Sequence, residues 1–275
     1  MSTPLLVAAD GSTPYRTISA AVADAPAGGR VLVRPADPAS YRPPLWVGGL
    51  PFEVRFDYGY DGVMRSYEDS LQRLGLNRVD LLVIHDLDLS YHGNRERVAF
   101  HLDRLDRGGG WRALSALKAA GEIKAIGAGV NEKGTIPDFV DRFDLDFFLV
   151  AMPYTLLDQA VLDDEFPRCL ERGVGVIIGS VFASGILLGG ATENATYAYR
   201  PASPEIKARV RRIETICRRH ATPLAAAALQ FPLAHPSVAS IIPGAAAPDH
   251  LPEVRQPSYQ NRRSIPAADN GKRAL

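Results

Sequence analysis

The chain has few cysteines and no excess charge of either sign. Its two cysteines, Cys169 and Cys217, lie far apart and lack the spacing of a metal site, which argues against a disulfide framework and indicates a reducing compartment. Lysine plus arginine equals aspartate plus glutamate, at 31 each, so no overall field attracts nucleic acid or an anionic membrane. We therefore predict no metal, no nucleic acid and no membrane among the partners.

Long apolar runs are also missing. No stretch approaches the roughly 20 residues of a membrane span. The opening MSTPLLVAADGS lacks the basic and then apolar order of a signal peptide. We therefore expect a cytoplasmic protein. Apolar residues make up 46% and charged residues 23% of the 275 positions, which are ordinary values for a globular chain with a sizeable core.

From residue 61 onward, amphipathic helices alternate with short apolar strands. The predicted strands are 79–84, 123–130, 146–151, 174–180 and 237–242. Strands separated by helices predict an α/β protein with a parallel sheet. An open doubly wound sheet and a closed barrel both fit this pattern.

Local signals place the ends of several elements. Asp61 is predicted to cap a helix that ends at Gly75, and Ser203 to cap another that begins with a proline. The strand 79–84 is predicted to be buried on both faces. The polar stretch 90–110 is predicted to be either a long loop or an inserted helix.

Residues suited to one ligand follow the predicted strands directly. They are His85, Asn131, Pro153-Tyr154, the 181–187 stretch and Pro243-Gly244. In parallel α/β architectures, ligands bind at the carboxyl ends of the strands, where loops and helix N-termini converge. The sequence therefore predicts a single ligand-binding edge.

Five motifs in one order carry a family resemblance. They are SLQRLGLNRVDLLVIHDLD, KAAGEIKAIGAGVNE, YTLLDQ, GSVFASGILLGG and PLAHPSVASIIPG. Over about residues 46–254 the chain resembles the aldo/keto reductases, and within them the bacterial sugar and pyridoxal dehydrogenases. The resemblance implies a (β/α)8 TIM barrel. It also implies an NAD(P)-dependent oxidoreductase that interconverts a carbonyl and an alcohol on a small sugar or pyridoxal-like substrate.

The resemblance implies a catalytic role for His85. It matches the histidine at the end of the family's fourth strand that orients the substrate oxygen. In that role its imidazole hydrogen-bonds the reacting oxygen and helps to polarise it. The alternative is an ordinary histidine at the end of a strand.

The resemblance also implies a nicotinamide cofactor. Asn131 matches the residue that holds the carboxamide, although its partner glutamine in typical members is replaced near Ala151. The implied cofactor-binding residues are Asn131, Val181, Phe182, Ser184, Gly185, Leu187, Pro243, Gly244 and His250. Members that prefer NADP carry basic residues in the 244–251 stretch. Arginine and lysine are absent from it here, which slightly favours NAD.

The resemblance begins after the segment that carries most of the family's catalytic residues. The family's aspartate and tyrosine follow its second strand, and its lysine follows the third. Asp57 and Tyr60 could be mistaken for that pair, but His85 lies only 28 residues after Asp57. That gap already holds one helix and one strand. We therefore predict an incomplete barrel with impaired activity; the alternative is a non-catalytic remnant that binds a nucleotide or nothing.

The first residues resemble a different family. Residues 5–42 are similar to the opening of a pectinesterase-type β-helix, with a strand, a helix and a strand in order. One isolated coil cannot bury its own face and carries none of that family's catalytic residues, so a pectin-acting function is the least favoured hypothesis. The predicted organisation is a foreign opening segment (1–45), a partial aldo/keto reductase barrel (46–255) and a disordered tail (256–275).

Overall fold

The computed structural model describes residues 5–7, 31–33, 56–85 and 87–244. The chain divides into two compact units, Met1–Phe56 and Asp57–Leu275. In the first unit, β1 (Leu5–Val7) and β2 (Val31–Val33) pair in parallel. Parallel pairing is what a strand–helix–strand order predicts, since parallel neighbours need a crossover connection. The predicted tail and the predicted cofactor residue His250 lie outside the described residues.

The second unit contains a five-stranded parallel sheet and a small antiparallel hairpin. Its strands are β3 (Leu81–Ile84), β4 (Ala125–Val130), β5 (Phe147–Val150), β6 (Gly175–Ile178), the hairpin strands β7 (Thr196–Tyr197) and β8 (Arg200–Pro201), and β9 (Val238–Ile241). Its helices are α1 (Tyr60–Leu74), α2 (Leu89–His92), α3 (Arg95–Asp106), α4 (Gly110–Ala119), α5 (Thr135–Val140), α6 (Glu165–Arg172), α7 (Ile186–Gly189), α8 (Pro204–Arg219) and α9 (Leu224–Gln230). Short 3-10 turns cover Ala160–Leu162 and Pro232–Ala234.

The order of strands in the sheet selects between the two predicted architectures. The order across the sheet is β3-β4-β5-β6-β9. The strands of this sheet therefore lie side by side in the order in which they occur along the chain. Right-handed crossovers between such strands put every helix on the same face, as in a (β/α) barrel. A doubly wound sheet instead reverses its strand order at a switch point. The barrel-type α/β prediction is confirmed, and the sheet formed by the described strands is not closed.

Burial on the two faces of the sheet differs at the edge strand β3. On one face, Ala128, Phe148 and Val176 are 0% exposed. On the other face, Leu81 and Val83 are 46% and 37% exposed. The prediction that the strand 79–84 is buried on both faces was therefore wrong. It fails because β3 is an edge strand of an unclosed sheet and has a neighbouring strand on one side only.

The local predictions are mostly confirmed. Helix α1 starts after Gly59, so Asp61 lies in the first turn instead of capping it. An acidic side chain in that turn still interacts favourably with the helix dipole. Gly75 ends α1 in the left-handed conformation, with φ of 64°. Ser203 caps α8 by accepting a hydrogen bond from the N–H of Ile206 at 3.3 Å. The polar stretch 90–110 contains inserted helices and not a long loop.

Candidate active site at the carboxyl ends of the sheet

The carboxyl ends of neighbouring strands lie side by side. The N–H groups of Ala151, Gly179 and Ile242 each donate to the carbonyl of the last residue of the neighbouring strand, at 2.8 Å. On β3, Ile84 pairs with Ala128, so the register places His85 just below the end of β4. The residues predicted to bind one ligand therefore follow strands that end along a single edge.

His85 follows β3 directly, and its backbone is held in place. Its carbonyl oxygen accepts a hydrogen bond from the Tyr58 hydroxyl at 3.0 Å. The same hydroxyl lies 3.2 Å from Nε2 of His92, which is buried. The His85 imidazole itself is exposed, with the Tyr91 ring edge-on at 6.1 Å between centroids. The His85 peptide is thus fixed by the Tyr58 hydroxyl, and the residue lies at the surface.

A second imidazole packs beneath this segment. The rings of His92 and His101 are 4.3 Å apart. Burial, followed by the neighbouring His92 and Arg97, lowers the pKa of His101. A lowered pKa favours the neutral ring at neutral pH. His101 therefore contributes packing and not positive charge near the site.

Asn131 follows β4 and bonds to an acidic residue near His85. Its Nδ2 donates to Oδ2 of Asp88 at 3.1 Å. The other carboxylate oxygen, Oδ1, accepts from the N–H of Tyr91 at 3.1 Å and caps α2. Asp88 is only 1% exposed. This carboxylate joins the residue predicted to hold the carboxamide to the segment that follows the predicted catalytic histidine.

Glu132 binds the same segment from the neighbouring position. Its Oε1 accepts from the N–H groups of Leu89 and Ser90, at 2.7 and 3.1 Å. Its Oε2 accepts from the Ser90 hydroxyl at 2.9 Å. Two carboxylates at the first turn of α2 suit the unbonded N–H groups there. The end of β4 and the segment after His85 are thus joined by several hydrogen bonds.

The 179–190 stretch forms a compact loop with an unusual backbone. Ala183, Ser184 and Gly185 have positive φ angles of 46°, 59° and 95°. For the two residues that are not glycine, this conformation costs about 1–2 kcal/mol each. The side chains of Val181, Phe182 and Leu187 are buried, so only their backbone can meet a ligand. Among the predicted loop residues, Ser184 and Gly185 reach the surface.

The β7–β8 hairpin supports this loop. The hydroxyl of Thr196 donates to the Ser184 carbonyl at 2.8 Å. The N–H of Tyr199 donates to the Ser184 hydroxyl at 3.2 Å. Together these bonds hold Ser184 in its left-handed conformation.

The backbone of the loop is suited to an anionic group. No residue in the described part of the chain accepts a hydrogen bond from the N–H of Ser184 or Ile186. The N–H of Gly185, which lies between them, donates to the Phe182 carbonyl at 2.9 Å. Two separate backbone donors of this loop are therefore left for the pyrophosphate-binding role that the sequence predicts.

The remaining predicted residues differ in exposure. Pro243 is half-buried and Gly244 is exposed, both directly after β9. Tyr154 follows β5 but is only 2% exposed and packs on Phe166 at 4.8 Å between centroids. Burial also raises the pKa of Tyr154. Tyr154 is therefore a core residue and does not line an exposed ligand edge.

Two further findings concern what the described part of the chain contains. Within it, no group of three or more histidine, cysteine, aspartate or glutamate side chains could hold a metal ion. None of its helices has the length and apolar character needed to span a membrane.

The fold and the residues at its carboxyl edge together indicate a class of protein. The chain has a parallel sheet in sequential order, and the carboxyl edge of that sheet carries His85, Asn131 and a loop with unbonded N–H groups. This arrangement is typical of an enzyme of the (β/α)-barrel type.

The chain belongs to the aldo/keto reductase family. The family model matches residues 49–257, which is most of the chain. Known members of this family are nicotinamide-dependent oxidoreductases, as the sequence resemblance implies.

Two curated relatives fall in the branch identified from the motifs. The chain is 44% identical over 236 residues to pyridoxal 4-dehydrogenase of Microbacterium luteolum, a match that covers 85% of this chain and 68% of that protein. It is 36% identical over 205 residues to D-threo-aldose 1-dehydrogenase of a Pseudomonas species, covering 74% of this chain and 59% of the relative. The matches thus span 68% of the first relative's length and 59% of the second's.

A solved structure supports the fold. An aldo-keto reductase from Bacillus halodurans in its holo form superposes with a TM-score of 0.56 and 24% identity. The match covers 75% of this chain and 64% of that one. At this identity, the likeness supports the fold alone.

Sequence reasoning missed the residues that support the site. Asp88 accepts from Asn131, Glu132 accepts from the segment after His85, and Tyr58 donates to the His85 carbonyl. A signal for two of them was present. Asp88 lies three positions after His85, and Glu132 follows Asn131 directly. Nothing in the sequence pattern marked Tyr58, which contacts His85 across 27 residues.

Proposed function

We propose that this chain binds a nicotinamide dinucleotide along the carboxyl edge of its sheet and acts on a sugar or pyridoxal-like substrate. The reaction class is the interconversion of a carbonyl and an alcohol. The observation that carries the proposal is that His85 and Asn131 follow adjacent parallel strands, and that Asn131 donates to Asp88, three residues after His85. The names of the two curated relatives, a pyridoxal dehydrogenase and an aldose dehydrogenase, support this substrate class.

When bound, the nicotinamide supplies the hydride chemistry, and the residues of the chain bind and orient. Asn131 offers an amide to the carboxamide. The N–H groups of Ser184 and Ile186 offer donors to the pyrophosphate. The exposed imidazole of His85 donates a hydrogen bond to the substrate oxygen and polarises it.

We propose that cofactor binding is retained while turnover is weak. The tyrosine that acts as the family's general acid, and the lysine beside it, have no counterparts in the segment before His85. The 28 residues between Asp57 and His85 leave no room for the strands that would carry them. A general acid typically contributes about 10²–10⁴ in rate. A histidine that polarises the oxygen supplies only part of that effect. NAD is slightly favoured over NADP because no arginine or lysine occurs in the 244–251 stretch.

The test combines binding and turnover in the full chain. NADH is titrated into wild type, His85→Ala and the control His220→Ala, which removes an exposed histidine at the end of α8. Oxidation of pyridoxal and of aldoses is then measured with NAD and NADP. We expect all three proteins to bind NADH saturably and wild type to turn over slowly. His85→Ala should lose this turnover, and His220→Ala should keep it.

Each other outcome contradicts a separate part of the proposal. Absence of NADH binding by the folded wild type would overturn cofactor binding. Fast turnover that His85→Ala abolishes would show that the oxidoreductase assignment is right and the predicted impairment is wrong. Turnover that persists in His85→Ala would remove His85 from the reaction.

A further inference from the structure

We propose that Glu165 is a positioning residue for the loop that carries Asn131, and that affinity for the nicotinamide dinucleotide depends on whether the Glu165 carboxyl is ionised. This proposal rests on the proposed function, since it requires that Asn131 meets the cofactor. It adds to that function a buried residue of α6 that touches neither cofactor nor substrate.

The loop between β4 and α5, residues 131–134, is anchored to two different helices. Near its start, Glu132 accepts hydrogen bonds from N–H groups in the first turn of α2. At its end, the N–H of Gly134 donates to Oε1 of Glu165 at 2.7 Å, across 31 residues of the chain. The position of Asn131 therefore depends on one anchor in α2 and on another in α6.

The carboxyl group of Glu165 is fully buried but only half satisfied. Its first oxygen has the bond from Gly134, whereas none of the described residues gives a hydrogen bond to its second oxygen, Oε2. A buried polar atom without a partner costs free energy, and a buried charge costs more. The fold therefore anchors this loop to a group whose negative charge it stabilises poorly.

The groups around Glu165 act on its ionisation in opposite directions. Burial is the main cause that raises its pKa, and the charge of Asp164 acts in the same direction. The N–H groups of Gly134 and Ile136 and the charge of Lys133 act against this rise. Lys133 also pairs with Asp164 at 3.6 Å, so its charge is shared between two carboxylates. The net result is a raised pKa.

The other elements that pack against α6 bring little further charge to Glu165. Burial, followed by the charge of Glu165, raises the pKa of Cys169 to about 12, so this thiol one turn along α6 stays neutral. The 3-10 turn Ala160–Leu162 and β6 carry no titratable side chain. In α5, Asp138 pairs with Arg95 at 3.0 Å. Glu165 is therefore the group in this part of the core whose ionisation can change.

The two protonation states of Glu165 hold Gly134 with different strength. A hydrogen bond to a carboxylate is roughly twice as strong as one to a neutral acceptor. Ionised Glu165 therefore fixes the loop firmly, and protonated Glu165 holds it less well. A ligand that needs an ordered Asn131 binds the firmly held loop more tightly, because less conformational freedom is lost on binding. Affinity should therefore increase as pH rises through the raised pKa of Glu165.

The first experiment measures affinity for NAD by isothermal titration calorimetry on the full chain at a series of pH values. NAD is used because NADH decomposes in acid. Wild type is compared with Glu165→Gln, which keeps an oxygen for Gly134 but cannot ionise. Glu171→Gln is the matched control, because it removes an exposed carboxyl from the same helix. We expect the affinity of wild type to rise about threefold relative to Glu165→Gln, and Glu171→Gln to follow wild type.

Amide hydrogen exchange gives a second measurement that needs no ligand. The protection of the Gly134 N–H in wild type, corrected for the intrinsic effect of pH on exchange, should increase as Glu165 ionises. The protection in Glu165→Gln should stay constant. Because the wild-type series alone reports on the loop, this measurement also decides the matter if the variant does not fold.

The outcomes separate this proposal from the proposed function. A rise in affinity and in Gly134 protection that Glu165→Gln lacks supports the positioning role. Parallel pH profiles for NAD in wild type and Glu165→Gln would overturn it and leave the proposed function intact. Constant protection of Gly134 in wild type, or a Glu171→Gln protein that behaves like Glu165→Gln, would also overturn it. If folded wild type binds no NAD at any pH, the proposed function fails, and the dependence of affinity on Glu165 fails with it.

Discussion

The hydroxyl of Tyr58 lies 3.0 Å from the backbone oxygen of His85 and ties the segment before α1 to the end of β3. Tyr58 is 8% exposed, and its ring also packs edge-on against His92. A single buried hydroxyl thus holds the peptide of His85 from below. The orientation of the exposed imidazole depends on this support.

Tyr58→Phe should therefore destabilise the protein. The change keeps the ring but leaves a carbonyl without its donor, which typically costs about 1–2 kcal/mol. Urea denaturation followed by circular dichroism measures the loss. Tyr60→Phe is the control, because it keeps the ring beneath the guanidinium of Arg112. A Tyr58→Phe protein as stable as this control would show that the hydrogen bond contributes nothing.

At the opposite end of the sheet, Asp146 joins α4 to β4. Both of its oxygens lie 2.6 Å from Nζ of Lys118, and Oδ2 accepts the N–H of Ile126 at 2.9 Å. Lys118 is 36% exposed, so solvent weakens the ion pair, and the backbone contact matters more. Asp146→Ala should cost about 1–2 kcal/mol and Lys118→Ala less, as measured by chemical denaturation. Equal losses of stability in the two variants would contradict the prediction that the backbone hydrogen bond contributes more than the ion pair.

Glu165 should make stability depend on pH. It is 0% exposed, and burial raises its pKa although the N–H of Gly134 donates to it at 2.7 Å. Because the folded-state pKa lies above the unfolded value of about 4.3, the folded protein favours the protonated acid. The stability that the folded protein gains from protonated Glu165 is complete below the pKa of the unfolded state. It is lost as pH rises through the pKa of the folded state.

Glu165→Gln should remove that dependence. Glutamine keeps an oxygen for Gly134 and carries no charge at any pH. We expect the stability of the variant relative to wild type to increase as pH rises across this interval, in urea titrations at a series of pH values. Glu171→Gln, an exposed position on the same helix, is the control. A constant difference between Glu165→Gln and wild type at every pH would contradict the prediction.

Gly127 should not tolerate a side chain. A Cβ at this position would lie 2.5 Å from ring atoms of Phe147 on the neighbouring strand. Gly127→Ala should therefore cost about 1–3 kcal/mol, since overpacking forces the ring or the strand to move. Gly189→Ala, where no atom lies within 4 Å, should be nearly neutral. The two variants can be compared by thermal unfolding.

Much of the fold follows from local patterns in the sequence. Gly75 and Ser203 mark helix ends because a left-handed residue and a capping hydroxyl act on their immediate neighbours. The exposure of β3 could not be predicted in this way. Its apolar residues resemble those of a central strand, and only the order of strands in the sheet reveals that β3 lies at an edge.

The candidate site could likewise be predicted from the sequence only in part. His85 and Asn131 could be predicted because each follows a strand of recognisable pattern. The contact between Asn131 and Asp88 spans 43 residues, so it depends on the pairing of β3 with β4. Ser184 could be assigned to a loop, but its left-handed backbone could not be predicted, because no glycine stands at that position.

The sequential arrangement of strands also has a consequence for how the chain folds. Three of the four strand pairings in the larger sheet join consecutive strands, whereas the pairing of β6 with β9 encloses the hairpin, α8 and α9. Closing short loops costs less entropy than closing long ones. We therefore expect the first four strands to assemble in the order in which a ribosome releases them, with β9 docking last. The strand β6, which leads into the 179–190 loop, would then acquire its second neighbour only when synthesis of the sheet is complete.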